Sequence, residues 1–276
     1  EMKMTTSSST DSHLRTRALG ARAAARRLAA TDAGVRDAAL MAIAAALETE
    51  KDSILAANAL DCEAAADLAQ KGELGEPLVA RLDLRKGKFE TALDMVRSVA
   101  SQPDPLWQTQ RATELDQGLE LFRVSVPIGV IGVIFESRPD ALVQIAALCL
   151  KSGNAVLLKG GSEAAHSNRI LADVIVRATE GIEGIPAGWL TLLETRGDVT
   201  EILGMDDAID LIIPRGSKDF AAYVMANTKI PVTGHTDGVC HVYVDAAADF
   251  DKALRVAIDS KIQDVSTCCT EETLLV

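Results

Sequence analysis

The sequence predicts an α/β fold in which a helical amino-terminal region precedes a doubly wound parallel sheet. Between residues 126 and 228, short apolar runs of the kind found in buried strands alternate four times with helical patterns. Before them, residues 12–100 carry apolar residues every three or four positions, which is the period of an amphipathic helix. Of the 276 residues, 48% are apolar and only 3% aromatic, and the abundant alanine favours closely packed helices.

The amino-terminal region divides into several predicted helices. Asp32 is suited to cap the second of them, whose apolar stripe includes Leu40 and Leu47. A third helix is predicted over residues 58–70, and Gly72 ends it. Two prolines then mark a linker before a strand with alternating pattern at residues 119–126.

The alternating region predicts four strands, each followed by a helix. In order they are strand 129–135, helix 140–153, strand 154–160, helix 162–178, strand 188–194, helix 198–205, strand 208–216 and helix 217–228. Right-handed crossovers bring the carboxyl ends of such strands to one edge of the sheet, where ligands bind. The loops expected there are "FESRPD", "LKGGSEA", "ETRGD" and "IPRGSKD". Their glycine, serine, lysine and arginine suit phosphate and ribose contacts, although the dinucleotide fingerprint GxGxxG is absent.

The loop "LKGGSEA" contains the first group of candidate binding residues. Its lysine ends a predicted buried strand and can reach a ribose hydroxyl or a phosphate, while the free N–H groups of the following helix start favour an anion. The alternative is an ordinary tight turn with an exposed lysine. The candidate cofactor-binding residues here are Lys159, Gly160, Gly161, Ser162 and Glu163.

The loop "IPRGSKD" repeats this pattern, and "FESRPD" adds a second arginine. Guanidinium groups offer a planar set of donors for phosphate or carboxylate, and the glycine allows close backbone approach. Either arginine could instead pair with a nearby acid. The cofactor-binding candidates are Pro214, Gly216 and Ser217, and the candidates for binding substrate or phosphate are Ser137, Arg138 and Arg215.

Charge and cysteine content limit the classes of partner. The formal net charge is -12 and no dense basic block occurs, which disfavours nucleic acid or an anionic membrane as a partner. No His/Cys spacing resembles a zinc module, so no metal site is predicted. The five cysteines include no CxxC pair and favour a reducing compartment. The adjacent Cys268 and Cys269 lie in a predicted loop, where one of them could be a nucleophile or both could be incidental.

Four blocks carry a resemblance to a known family. They are "VPIGVIGVIFESRPDALVQIAALCLKSGNAVLLKGGSEA", "DLIIPRGS", "IPVTGHTDGVCHVYVD" and "STCCTEETLLV". Together they resemble the gamma-glutamyl phosphate reductases of the aldehyde dehydrogenase superfamily, and most of all the reductase half of pyrroline-5-carboxylate synthases. The resemblance implies an aldehyde dehydrogenase-like fold with a Rossmann-like cofactor domain. It also implies NADPH-dependent reduction of L-glutamyl 5-phosphate to glutamate 5-semialdehyde in proline biosynthesis, a cytoplasmic location and a homo-oligomer in the full-length parent.

The resemblance also selects between the two cysteines. The family pattern around its nucleophile is Cys-Asn-x-x-Glu-Thr-Leu-Leu-Val. Laid on this chain, it assigns the nucleophile position to Cys268 and puts Cys269 where the family has Asn. Cys268 is therefore expected to form a thioester with the substrate and to be the more reactive thiol.

The sequence and the resemblance together predict a division into three segments. Residues 1–11 are expected to be a disordered or tag-like terminus, and residues 12–250 a helical entry plus the dinucleotide-binding domain. Residues 251–276 would begin a catalytic domain that is truncated, because family members continue well beyond this point. Two alternatives stay open: another acylating aldehyde dehydrogenase, or a truncated, non-catalytic nucleotide-binding module.

Overall fold

The structure is a computed structural model that describes residues 8–216, 218–234, 240–262 and 273–276. The amino-terminal region is helical, as predicted, but its first helix begins at Ser8, inside the segment expected to be disordered. Its helices are α1 (Ser8–Leu28), α2 (Ala33–Thr49), α3 (Lys51–Gln70), α4 (Glu76–Leu82) and α5 (Lys88–Ser101). Leu40 and Leu47 are buried on α2, which confirms its predicted apolar stripe. Asp32 occupies the N-cap position of α2, but its side chain makes no capping hydrogen bond.

The predicted start of the third helix is wrong. Residue 58 lies in the middle of α3, which begins at Lys51 directly after the end of α2. Asn58 is completely buried, and its side chain bonds to the Leu82 carbonyl at 2.8 Å and the Leu84 N–H at 2.9 Å. A polar residue that suggested a helix boundary thus fastens α3 to the segment joining α4 and α5.

An antiparallel hairpin separates the helices from the main sheet. It consists of β1 (Thr109–Asp116) and β2 (Leu119–Val124). The strand predicted at residues 119–126 is β2, whereas β1 was not predicted because "TQRATELD" is polar and does not alternate. Almost every residue of the hairpin is exposed on both faces.

The main sheet is parallel, has four strands and is covered on both faces, which confirms the doubly wound prediction. Its elements are β3 (Val130–Ile134), α6 (Pro139–Lys151), β4 (Ala155–Lys159), α7 (Ala165–Thr179), β5 (Leu190–Leu193), α8 (Arg196–Ile202), β6 (Leu211–Pro214) and α9 (Lys218–Ala226). Ile131 and Val156 point to the face covered by α2, α5, α6 and α7. Val130 and Leu157 point to the face covered by α1, α8 and α9.

The strand order places the predicted loops together. The order is β5-β4-β3-β6, so the chain moves outward from β3 through β4 to β5 and then returns to the other side of β3. The strand ends are in register, since Ile134 pairs with both Lys159 and Pro214. The order reverses between β3 and β6, which is the position where open α/β sheets bind ligands.

The last described elements are β7 (His241–Tyr243), α10 (Phe250–Ile262) and β8 (Thr273–Leu275). β7 and β8 form a separate parallel pair, and α10 contains no buried residue. The domain boundary at residue 250 stays a prediction. None of the helices in the described part of the chain combines the length and apolar character needed to cross a bilayer.

Candidate functional site

A cleft of about 660 Å³ opens at the carboxyl edge of the main sheet. Its volume lies within the range usual for small-molecule sites. Of the residues predicted from sequence, those in the cleft lining are Ser137, Lys159, Gly160, Gly161, Ser162 and Glu163. These residues of the β4 loop therefore line a concave surface to which the neighbouring β3 loop contributes, and their role in binding stays a prediction.

Lys159 contributes a buried cation to the cleft wall. It is the last residue of β4 and only 6% exposed, so the alternative of an exposed turn lysine is wrong. Its Nζ donates to the carbonyl oxygen of Gly160. Because the stem is packed in the sheet and the ammonium reaches the lining, Lys159 can interact with an anion or a hydroxyl at this edge.

Gly160 and Gly161 are distinguished by close neighbours rather than by an unusual backbone conformation. A Cβ on Gly160 would lie 2.1 Å from Nδ2 of Asn168, which is buried on α7. A Cβ on Gly161 would lie 1.9 Å from Oε1 of Glu163. Both glycines therefore let the loop run directly against side chains that a larger residue would displace.

Two of the first amides of α7 have partners within the protein, and an anion site at the start of this helix stays a prediction for Ser162 and Glu163. Ser162–Ala164 form a 3-10 turn, and α7 begins only at Ala165. The backbone N–H groups of His166 and Ser167 donate to the carboxylate of Asp61 on α3, at 3.1 Å and 2.7 Å. These donors are occupied within the protein and do not face a ligand.

Asp61 was not identified from the sequence. It is only 3% exposed, and besides the two amides it accepts the Ser167 hydroxyl at 2.6 Å and lies 2.8 Å from Nδ1 of His166. Its neighbours in "LDCEAAA" form an ordinary helical pattern, so no local signal marks it. The side chain tethers the start of α7, and with it the Lys159 loop, to α3.

The β3 loop contains a second unpredicted acid, Glu136. Its Oε1 lies 3.2 Å from the place a Cβ would occupy on Gly216, so it reaches across to the β6 loop. Burial raises the pKa of the Glu136 carboxyl, the nearby Glu163 raises it further, and Lys159 opposes both. The next residue, Ser137, is buried and donates from both N–H and Oγ to Glu163.

The two candidate arginines lie near the cleft but outside its lining. Arg138 is exposed at the N-cap position of α6. Arg215 is exposed beyond β6, and its backbone N–H donates to the Ile134 carbonyl at 2.7 Å. Among the described residues, neither guanidinium forms an ion pair with a carboxylate, so pairing with a nearby acid is not seen.

The remaining predicted residues divide into two groups. Pro214 ends β6 and is buried, and Gly216 lies opposite Glu136. Ser217, Cys268 and Cys269 lie outside the described residues, and their roles stay predictions. In the described ranges, no group of three or more His, Cys, Asp or Glu residues could hold a metal ion.

The cleft has the groups needed to bind a nucleotide. Lys159 offers a cation for phosphate or hydroxyl oxygens, and Glu136 adds a carboxyl group beside it. Glu194 is also in the lining and pairs with Arg169 at 2.8 Å. Phe220 and Tyr223 of α9 add aromatic rings to one wall. This donor and acceptor set fits a dinucleotide bound at the point where the strand order reverses.

Comparisons with known proteins agree with this architecture. The chain is 55% identical to the gamma-glutamyl phosphate reductase of Natronomonas pharaonis over 256 residues, which cover 93% of this chain and 58% of the relative. The crystal structure of gamma-glutamyl phosphate reductase from Thermotoga maritima superposes with a TM-score of 0.85 at 34% identity, covering 95% of this chain and 62% of that one. The enzyme of the same name from Saccharomyces cerevisiae gives a TM-score of 0.74 at 38% identity, covering 95% and 65%.

The chain is shorter than these relatives. It spans a little under three fifths of the length of the Natronomonas pharaonis protein, 58%. The sequence model of the aldehyde dehydrogenase family, in contrast, matches residues 1–276, which is the whole chain. The chain therefore belongs to the aldehyde dehydrogenase family.

Proposed function

We propose that this chain is part of a gamma-glutamyl phosphate reductase, which uses NADPH to reduce L-glutamyl 5-phosphate to L-glutamate 5-semialdehyde in proline biosynthesis. The main support is the 55% identity to a relative of that name across 93% of the chain. The cleft at the reversal of strand order supports the dinucleotide part of the proposal. A cytoplasmic location, a homo-oligomeric parent and the division at residue 250 belong to the same proposal.

Each part of the chain has a separate task in this reaction. The Lys159 loop and the backbone at Gly216 hold the dinucleotide, and Arg138 and Arg215 attract the phosphate of the substrate. When bound, the reduced nicotinamide supplies a hydride. Cys268 provides the thiolate that holds the acyl group while it is reduced.

Acyl transfer to Cys268 and the reduction that follows need only the acyl phosphate, the reduced nicotinamide and one proton. The Cys268 thiolate attacks the acyl carbon, a C–S bond forms, and the C–O bond to phosphate breaks so that phosphate leaves with the electron pair. Hydride addition to the thioester carbon gives a tetrahedral oxyanion, whose C–S bond then breaks to release the aldehyde and return the thiolate. The one proton consumed overall is taken up by the departing phosphate. Excluding water from the thioester prevents its hydrolysis.

Acyl-phosphate-dependent oxidation of NADPH tests the proposed function. The complete product of the gene is expected to oxidise NADPH only when glutamyl phosphate is present and to release phosphate in equal amount. The 276-residue chain alone is expected to bind NADPH weakly and to turn over little, because a nucleophile displaced by about 1 Å loses on the order of a hundredfold in rate. Activity of the complete product with other acyl phosphates or CoA thioesters, but not with glutamyl phosphate, would assign it to another acylating aldehyde dehydrogenase.

Replacing Lys159 by alanine is expected to weaken NADPH binding by about 1–3 kcal/mol, because a charge-assisted hydrogen bond to the ligand is lost. Fluorescence titration of the chain with NADPH measures this change. Lys51 provides a matched control, since its side chain is 41% exposed and pairs with Glu90 at 2.6 Å. Lys51→Ala should leave the dissociation constant unchanged, and an unchanged constant in Lys159→Ala would contradict the assignment.

NADPH binding is expected to strengthen as the pH falls through the raised pKa of Glu136. A bound anion nearby disfavours the ionised form of Glu136 further, so NADPH binding is accompanied by uptake of a proton. The dissociation constant for NADPH therefore decreases at lower pH. Titrations with NADPH at several pH values should show that Glu136→Gln removes the pH dependence of binding that is due to Glu136. If the variant and the wild type have parallel profiles, Glu136 does not face the bound anion.

A further inference from the structure

We infer that Glu163 is a positioning residue that holds Ser137 in a left-handed backbone conformation and thereby fixes the loop carrying Glu136 and Arg138. The inference rests on the proposed function, because the loop is taken to present its groups to the dinucleotide and the acyl phosphate. It changes two roles predicted from sequence, in which Glu163 contacts the cofactor itself and Ser137 binds the substrate or its phosphate.

The first observation is the backbone of Ser137. Its φ is +48°, in the left-handed region that residues with a Cβ seldom adopt. The residue is also 3% exposed and lines the cleft, so the unusual conformation lies at the candidate site. Such a conformation persists only where surrounding contacts enforce it.

The second observation identifies the contact that enforces it. Oε1 of Glu163 accepts the Ser137 N–H at 2.6 Å and the Ser137 Oγ–H at 2.8 Å. A carboxylate makes stronger hydrogen bonds than a neutral acceptor. Both donors of Ser137 therefore converge on one oxygen, which favours the observed backbone conformation over an extended one.

Gly161 makes this contact possible. A Cβ there would lie 1.9 Å from Oε1 of Glu163 and 2.3 Å from its Cδ. The Glu163 carboxylate thus crosses directly over the Gly161 backbone to reach the β3 loop. The second glycine of "KGGSE" is therefore explained by the space that the Glu163 carboxylate needs, and not by contact with a ligand.

Because the Ser137 backbone is fixed, the positions of its two neighbours in the loop are fixed as well. Ser137 is buried, whereas Glu136 and Arg138 on either side are exposed. Glu136 in turn approaches Gly216 on the β6 loop. The contacts Glu163–Ser137 and Glu136–Gly216 therefore connect the loops after β4, β3 and β6 across the reversal of strand order.

A glycine substitution separates positioning from direct contact. Glycine adopts positive φ without steric cost, so Ser137→Gly removes the need for an enforcing contact, whereas Ser137→Ala removes the hydroxyl but keeps the Cβ. In the complete gene product, Glu163→Ala is expected to lower kcat/KM for the acyl phosphate by about 10- to 100-fold, as for a small misplacement of reacting groups. Glu163→Gln, which keeps a neutral acceptor, should lie between Glu163→Ala and the wild type.

The expected signature is selective rescue. Adding Ser137→Gly to Glu163→Ala should restore most of kcat/KM, and adding Ser137→Ala should not. Equal behaviour of the two double variants would overturn the inference. So would a Glu163→Ala effect confined to the KM for NADPH, since that result indicates direct contact with the dinucleotide.

A stability measurement keeps the inference testable without activity. Glu163→Ala should lower the melting temperature of the chain, and the decrease should be less than half as large in the Ser137→Gly background. Equal decreases in both backgrounds would overturn the inference. If wild-type protein lacks glutamyl phosphate reduction but shows this coupling, the proposed function fails while the role of Glu163 at Ser137 stands.

Discussion

Replacing Cys268 by alanine is expected to lower the kcat of the complete gene product by about four orders of magnitude or more. Loss of a covalent nucleophile is among the largest single effects in enzymes, because the remaining groups can bind substrate but cannot form the acyl intermediate. The expectation comes from the match of "CCTEETLLV" to the family pattern, since Cys268 lies outside the described residues. Steady-state NADPH oxidation with glutamyl phosphate measures the effect.

Cys269 provides the matched control for this substitution. It is adjacent in sequence and has the same side chain, so Cys269→Ala tests whether any loss of thiol in this loop reduces activity. Cys269→Ala is expected to keep most of the activity, and limited alkylation should label Cys268 first. Preferential labelling of Cys269, together with activity in Cys268→Ala, would reverse the assignment.

Replacing Asp61 by alanine is expected to lower the free energy of unfolding by about 3 kcal/mol. The carboxylate is buried and accepts the N–H groups of His166 and Ser167 and the Ser167 hydroxyl. Without it, the first amides of α7 and a buried hydroxyl lose their partner, and α3 is no longer tethered to the Lys159 loop. Urea denaturation of the chain measures the change.

Asp67 on the same helix is a suitable control because it is exposed. Asp67→Ala should change the unfolding free energy by no more than about 0.5 kcal/mol, as is usual for surface positions. Asp61→Asn should fall between the two alanine variants, because its amide can accept through only one of its terminal atoms. Similar values for Asp61→Ala and Asp67→Ala would show that the buried network does not stabilise the fold.

The main sheet could be predicted because its strands are buried on both faces. Val130–Ile134 and Ala155–Lys159 are buried throughout, so each appears in the sequence as a short continuous apolar run. The alternation of such runs with helical patterns then fixes the parallel topology. β1 could not be found in this way, since an exposed polar strand carries no burial pattern.

Long-range polar contacts explain why the start of α3 and the partners of the α7 amides could not be predicted from the sequence. Asn58 suggested a helix start because asparagine favours caps, yet its partners lie more than twenty residues away at Leu82 and Leu84. Asp61 caps α7 from a different helix and occupies two of its first amides. Such contacts depend on the folded arrangement and have no local signal.

The loops that form the candidate site could be predicted from the sequence, but the contacts between their residues could not. Glycine, serine and lysine after a buried strand correctly indicated the edge where the cleft lies. The contact between Glu163 and Ser137 joins loops on different strands, and Glu136 meets Gly216 only because β3 lies beside β6. Sequence spacing carries no information on these pairs until the strand order is known.

A crystal structure of the chain with NADPH tests the central claim most directly, namely that the cleft at the carboxyl ends of β3, β4 and β5 is the dinucleotide site. The account predicts that the dinucleotide occupies this cleft, with a ribose or phosphate oxygen within hydrogen-bonding distance of Lys159 Nζ and the backbone of Gly216 against the bound molecule. NADPH bound elsewhere on the chain, with Lys159 Nζ out of hydrogen-bonding reach of the bound molecule, would contradict it.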